Sequence, residues 1–235
     1  METALQGKKI LIIGGGTGIG LEVAKLASRS GASVILASRS IGKQEDAAHN
    51  LQGAATEPVD LTDEASISQL FERVGAIDHV AITARQPQKP ELFLTADIAT
   101  IRAAFDVKFW GQYLVAKFAA SRIKTGGSIT FTSGTASFCA YEGYASVAAM
   151  NAATEALARN LAVELAPIRV NTVCPGFADT LPSTPGRYEF SERLALRIPA
   201  RRLATPTEIA QAYLFLMTNA YSSGTVLVVD GAASC

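Results

Sequence analysis

Apolar residues in this chain fall into two recurring patterns. The short apolar run Lys9-Ile10-Leu11-Ile12-Ile13 has the composition of a strand buried on both faces, and further strands are expected over Ser33 to Ala37, Ile77 to Ala84, Ser128 to Thr132, from Ile168 to Asn171 onward and over Val226 to Gly231. A further short strand is expected over Glu57 to Leu61. Between the runs the spacing turns helical. Ile19, Val23, Leu26 and Ala27 line one face of a helix over Leu21 to Arg29, with Gly31 as its C-cap. Ile67, Leu70, Phe71 and Val74 follow the i, i+3, i+4, i+7 pattern behind Thr62 or Asp63 as cap. A longer helix is expected from Phe105 to about Ile123, another from near Tyr144 to Ala166, and a last one to about Met217, opened by the capping box Thr205-Pro206-Thr207-Glu208.

The joint between the first strand and first helix is Gly14-Gly15-Gly16-Thr17-Gly18-Ile19-Gly20. Glycines there allow a tight turn, close approach of backbone to a ligand and close packing of helix on strand. The helix N-terminus adds unpaired N–H groups and the positive end of its dipole, so the turn is an anion cradle suited to a pyrophosphate. A plain strand-to-helix turn is the alternative, and the position at the first strand of a βαβ unit favours the dinucleotide.

At 235 residues and 49% hydrophobic, the chain can bury one large core, and a single domain over 1–235 is expected. The 21 acidic and 21 basic residues balance, which leaves no basic footprint for nucleic acid. No apolar span approaches membrane length and no leader-like segment opens the chain, so a cytoplasmic protein is expected. Cys139, Cys174 and Cys235 are odd in number and far apart, against a disulfide framework, and His49 and His79 stand alone, so no metal site is expected.

The second strand ends at Ser38-Arg39, about twenty residues past the glycine turn, where an acid would bind the ribose 2′-hydroxyl of NAD. No acid stands there. Arg39 suits a 2′-phosphate instead and Ser38 adds a donor, which favours NADP(H) over NAD(H); a solvated arginine at a strand end is the alternative.

The spacing Gly14-x-x-x-Gly18-x-Gly20 resembles the fingerprint of the short-chain dehydrogenase/reductase family, with Ile13 where that family usually has Thr. The resemblance implies a Rossmann-like, doubly wound parallel sheet of about seven strands flanked by helices, holding a nicotinamide dinucleotide. It covers nearly the whole chain. Asp60 and Leu61 match the pair beside the adenine ring, and Ala84 alone survives of Asn-Asn-Ala-Gly, the other positions being Ile82, Thr83 and Arg85. Pro175-Gly176-Phe177-Ala178-Asp179-Thr180 resembles the Pro-Gly loop whose backbone and following Thr hold the nicotinamide carboxamide, and Val229-Asp230-Gly231 resembles the closing Val-Asp-Gly-Gly.

The catalytic positions depart further. Lys108 stands where the resemblance implies the relay asparagine after Asp-Val. Strict counting from Gly127 puts the family's serine at Gly134, and a slip of one gives Ser133, which we take. Tyr144 fits the tyrosine of Tyr-x-x-x-Lys, but Ala148 replaces the lysine that would hold the ribose and lower the phenol pKa. If that cation lowers the pKa by about 2 units, its loss is worth about 2.7 kcal/mol. Lys108 on the neighbouring helix either replaces the missing charge or snorkels to solvent.

The leading expectation is an NADP(H)-dependent oxidoreductase acting on a carbonyl or alcohol small molecule, with Tyr144 as acid, Ser133 as orienting donor and Lys108 as cation. An imine or iminium reductase without a full relay, and a non-catalytic NADP(H)-binding scaffold or sensor, are the alternatives. The stripe Met150, Leu157, Leu161 and Leu165 reads as core or subunit interface, and the resemblance implies a homo-oligomer paired through this helix and the Lys108 helix. Leu181 to Pro199 is expected to be a loop and short helix covering the substrate, and Gln86 to Glu91 a loop.

Overall fold

The structure is a computed structural model that describes residues 4–49, 51, 53–85, 89–180 and 191–235. The expected loops at Gln86 to Glu91 and Leu181 to Pro199 therefore lie partly outside the described residues. Seven parallel strands form one sheet in the order β3-β2-β1-β4-β5-β6-β7. They are β1 Lys9–Ile13, β2 Ser33–Ser38, β3 Ala55–Pro58, β4 Ile77–Ile82, β5 Ile123–Thr132, β6 Arg169–Pro175 and β7 Val226–Val229.

The run in β1 shows why the strands carry apolar residues without alternation. Leu11 and Ile13 enter one core, with Ile67, Phe71, Val115 and Ala158. Ile10 and Ile12 enter the other, with Val23, Ala27, Ile209 and Tyr213. Each face is covered by helices, so both side-chain rows are buried and a parallel sheet results. Helices α1 Gly18–Arg29, α2 Ile41–His49 and a last helix, α7 Pro206–Thr218, belong to one side. Helices α3 Glu64–Val74, α5 Gly111–Ala120 and α6 Ala145–Glu164 belong to the other, and α4 Ile98–Phe105 precedes α5 on the same helical axis. The strand order reverses between β1 and β4, and the crevice at such a switch point is where open α/β sheets bind ligands.

Three boundaries differ from the sequence reading in ways that bear on the site. β3 ends at Pro58, so Asp60 and Leu61 lie beyond the strand rather than in it. The long helix starts at Ile98, seven residues before Phe105, because Asp97 caps it by accepting from Ala99 N and Thr100 N. It ends at Ala120, and Ile123 already opens β5. Between α4 and α5 the axis continues through a π-helical turn, Asp106–Trp110, the kind of wide turn that re-aims side chains near functional sites. Lys108 is in that turn.

Candidate active site

The glycine turn has the geometry of a cradle. Gly14 has φ +87°, and a Cβ there would meet Ala84 N at 2.7 Å. A Cβ at Gly20 would lie 2.3 Å from the Gly14 carbonyl oxygen and 2.5 Å from Thr83 Oγ1, so α1 starts hard against the end of β1. Gly18, at φ +55°, faces Thr180, whose Cβ would be 3.4 Å from a Cβ at Gly18. The loop after β6 thus closes over the turn after β1. Thr17 caps α1 by conformation alone, with no side-chain bond to the helix N–H groups, and no acidic residue enters the first turn. Gly16 and Ile19 flank this point and are half-buried. Open N–H groups, a positive dipole end and no competing carboxylate fit a pyrophosphate.

At the end of β2, Ser38 Oγ accepts from Ser40 N at 3.3 Å and from Gln44 Nε2, leaving its own proton to donate onward. Arg39 is exposed beside it. Asp60 accepts from Thr62 N and Thr62 Oγ1 at 2.9 and 2.7 Å, and those bonds, with a smaller contribution from the Arg39 charge, hold its carboxyl below the usual range. Leu61 contacts the main helix where Gly111 lets it approach: a Cβ at Gly111 would sit 2.8 Å from Leu61 Cβ. Beyond β6, Gly176 allows the Pro175-Gly176 turn to press on Asp230, with 2.7 Å from a would-be Cβ to Asp230 Cβ.

Lys108 does not snorkel to solvent. Its Nζ donates to the Thr132 carbonyl at 2.6 Å and lies 3.5 Å from that of Ser133. Burial, reinforced by the nearby Arg85 cation, pushes its pKa down to about 8. Gln112, one turn on, completes the end of β5: its Oε1 accepts from Thr132 N at 3.1 Å and its Nε2 donates to the Lys108 carbonyl at 2.5 Å. The structure therefore brings Lys108 and Ser133 together.

Ser133 Oγ itself is enclosed, on a residue only 6% exposed, with no oxygen or nitrogen partner. It neighbours the Cys174 thiol, which burial pushes up to about 11. Gly134, the strict-count position, is met by Asn151 from α6, whose Nδ2 donates to the Gly134 carbonyl at 3.2 Å. The side chain that reaches the end of β5 from α6 is therefore Asn151.

Tyr144 occupies the N-cap of α6, and Ala148 N donates to its carbonyl at 2.8 Å. Among the described residues its hydroxyl makes no hydrogen bond, to Lys108 and Ser133 included. It lines a cavity of about 410 Å³ with Phe93, Ser137, Phe138, Tyr141 and Ala148. Sequence reasoning missed Asn151 and Tyr141. The register that sets Tyr144 and Ala148 on the Tyr-x-x-x-Lys motif gives neither a role, and only the pairing of α6 with the end of β5, and of Tyr141 with Phe177, brings them into view. His79, buried with its Nδ1 2.8 Å from Ser128 Oγ, is pushed down to about 4 by burial and stays neutral at pH 7. Among the described residues no group of His, Cys, Asp or Glu is placed to hold a metal ion, and no helix is long and apolar enough to cross a membrane.

Comparison with known proteins agrees with this geometry. The family model described as Enoyl-(Acyl carrier protein) reductase matches residues 14–233. The chain is 35% identical to the short-chain dehydrogenase/reductase ATR9 of Stachybotrys chlorohalonatus, over 97% of this chain and 98% of that one. It is 31% identical to cis-4-hydroxycyclohexanecarboxylate dehydrogenase of Sinomonas cyclohexanicum, over 98% of both. A crystal structure of a small-chain dehydrogenase in complex with NADPH superposes with a TM-score of 0.85 at 34% identity, over 97% of this chain and 99% of that one. Strand order, glycine turn and sequence relatives together show that the chain belongs to the short-chain dehydrogenase/reductase family and is an oxidoreductase of that nicotinamide-dependent group.

Proposed function

We propose that this chain is an NADP(H)-dependent oxidoreductase that interconverts a small carbonyl compound and its alcohol. The observation that carries the cofactor choice is the end of β2, where Ser38 and Arg39 stand with no acid to receive a ribose 2′-hydroxyl. The NADPH complex of a 34% identical protein supports the reading. Gly14, Gly16, Thr17, Gly18, Ile19 and Gly20 would hold the pyrophosphate, Arg39 and Ser38 the 2′-phosphate, Asp60, Leu61 and Ala84 the adenosine side, and Pro175, Gly176 and Thr180 the carboxamide.

Reduction of a carbonyl takes a hydride at carbon, which the bound dinucleotide supplies, and a proton at oxygen. In our reading Tyr144 gives that proton from the cavity wall. Lys108, held on the carbonyls of Thr132 and Ser133, places positive charge at the C-terminal end of β5 and favours the developing oxyanion. Ser133 serves by positioning that ammonium. Exposed Trp110 and Tyr113 on the main helix, with Val163 on α6, support a homo-oligomer joined through these helices.

Arg39→Ala tests the cofactor assignment. NADPH affinity, read by fluorescence titration, is expected to fall about tenfold to a hundredfold, as for loss of a charge-assisted phosphate contact, while NADH affinity stays within about twofold. An equal loss for both cofactors would show that Arg39 does not read the 2′-phosphate.

A further inference from the structure

The cavity beside α6 contains a second phenol, and it differs from Tyr144 in being held. Tyr141 OH lies 3.4 Å from Thr135 Oγ1, and Thr135 is buried in the 3₁₀ turn Thr135–Ser137 that leaves β5. The Tyr141 ring stands edge-on to Phe177 at 5.5 Å and to Tyr144 at 5.8 Å. Phe177 directly follows Pro175-Gly176 at the end of β6. Tyr141 thus bridges the loop assigned to the carboxamide and the wall on which Tyr144 sits. Ser133, the expected orienting donor, is enclosed away from this space.

From this geometry we infer that Tyr141, oriented by Thr135, is the hydrogen-bond donor that receives the substrate's carbonyl oxygen, with Tyr144 as the separate proton donor. The inference rests on the oxidoreductase reading above and assigns within it a catalytic residue, Tyr141, and a positioning residue, Thr135. When the Thr135 hydroxyl donates to the phenol oxygen, the phenol proton is left for the neighbouring Cys139 thiol, and a substrate oxygen entering the cavity competes with that weak sulfur acceptor. A separation of 3.4 Å is long for such a pair, as expected of a catalytic hydrogen bond before substrate tightens it. A donor fixed before the reaction needs no reorganisation as charge develops on the oxygen, whereas the unpartnered Tyr144 hydroxyl is free to turn and deliver its proton. Burial pushes the Tyr141 phenol up, with the Cys139 and Asp230 side chains acting in the same direction and Thr135 in the opposite one, so it stays protonated and able to donate. The aromatic side chains lining the cavity, Phe93, Phe138, Tyr141 and Tyr144, favour a flat or alicyclic ketone over a charged one.

The test uses full-length protein saturated with NADPH and three probes, cyclohexanone, 1-tetralone and benzaldehyde. Uniform 3-fluorotyrosine labelling, with signals assigned from Tyr→Phe variants, reads the phenols directly. The Tyr141 resonance is expected to shift on addition of at least one probe to the NADPH complex, while that of fully exposed Tyr221 does not. Tyr141→Phe is expected to lower kcat/KM for that probe by about 10² to 10³, the usual effect of removing one oxyanion donor, with NADPH affinity and the pH profile unchanged. Tyr144→Phe is expected to change the pH profile. Thr135→Ser should keep the rate and Thr135→Val should lower it about threefold to tenfold. A Tyr141 signal unmoved by all three probes, or a Tyr141→Phe rate within threefold of wild type, overturns the inference while NADPH binding leaves the broader reading standing. Failure of the wild-type protein to bind NADPH overturns both.

Discussion

Gly20→Ala will destabilise the protein by about 3 kcal/mol and reduce NADPH affinity at least a hundredfold. The added methyl group would lie 2.3 Å from the Gly14 carbonyl oxygen, 2.5 Å from Thr83 Oγ1 and 2.9 Å from the Gly14 carbonyl carbon. None of these can give way cheaply. The Gly14 atoms are backbone, and Gly14 N itself donates to the Ala37 carbonyl at 2.7 Å. Thr83 Oγ1 is tied to the Ile13 carbonyl at 2.9 Å. The start of α1 must therefore move away from β1, an overpacking cost at the upper end of the usual range, and the N–H groups move with it. For a domain of this size about 3 kcal/mol corresponds to a fall in Tm of about 6–12 °C. Thermal unfolding and NADPH fluorescence read the two effects. Gly42→Ala is the control: nothing lies within 4 Å of a Cβ there, so Tm should hold or rise slightly. Wild-type melting and binding by Gly20→Ala would refute the packing of α1 on β1.

Lys108→Met is expected to raise stability while lowering activity. The ammonium is more easily deprotonated in the folded chain, at about 8 against 10.5 for a free lysine, because burial and Arg85 both oppose its charge. That depression corresponds to about 3 kcal/mol. The sign follows from proton counts. Below pH 8 lysine is protonated in both states, and the folded state bears the full cost of the charge. Between about 8 and 10.5 the unfolded chain binds more protons than the folded one, so stability rises with pH and the cost disappears. Methionine removes the cost at pH 7, and the Thr132 carbonyl keeps a second donor in Gln112 Nε2 at 3.3 Å. Net stabilisation of about 2 kcal/mol and a Tm gain of about 4–8 °C are expected at pH 7, shrinking toward nil near pH 10.5. Turnover should fall at least tenfold. A lower Tm at pH 7, or a gain independent of pH, would show that Lys108 is held as a structural cation.

A stability gain at the expense of turnover is the signature of a residue kept in an unfavourable environment for its chemistry. Lys108 meets that description on structural grounds. Its position in a π-helical turn aims the amine at the end of β5 instead of outward.

The amino-acid sequence by itself determined the elements and the cradle. Lys9 to Ile13 had to be a strand buried on both faces, because the four apolar residues Ile10 to Ile13 follow one another without alternation and leave no polar side. The glycines at 14, 18 and 20 marked a turn, because glycine between an apolar run and a helical pattern is the residue that permits a tight bend and close backbone approach. Arg39 without a neighbouring acid was visible at the end of β2 for the same local reason, since its distance along the chain from the glycine turn sets its place. Asp97 as the true start of the long helix was missed, although Asp97 with Thr100 is itself a local signal. Where side chains from different elements meet was a different matter. The direction of Lys108, the enclosure of Ser133, the arrival of Asn151 at Gly134 and the meeting of Tyr141 with Thr135 and Phe177 each depend on how α6, the π turn and the ends of β5 and β6 pack together. Periodicity and turn chemistry act over a few residues, whereas these contacts are fixed by the burial of two whole faces of the sheet, and only the tertiary structure decides them.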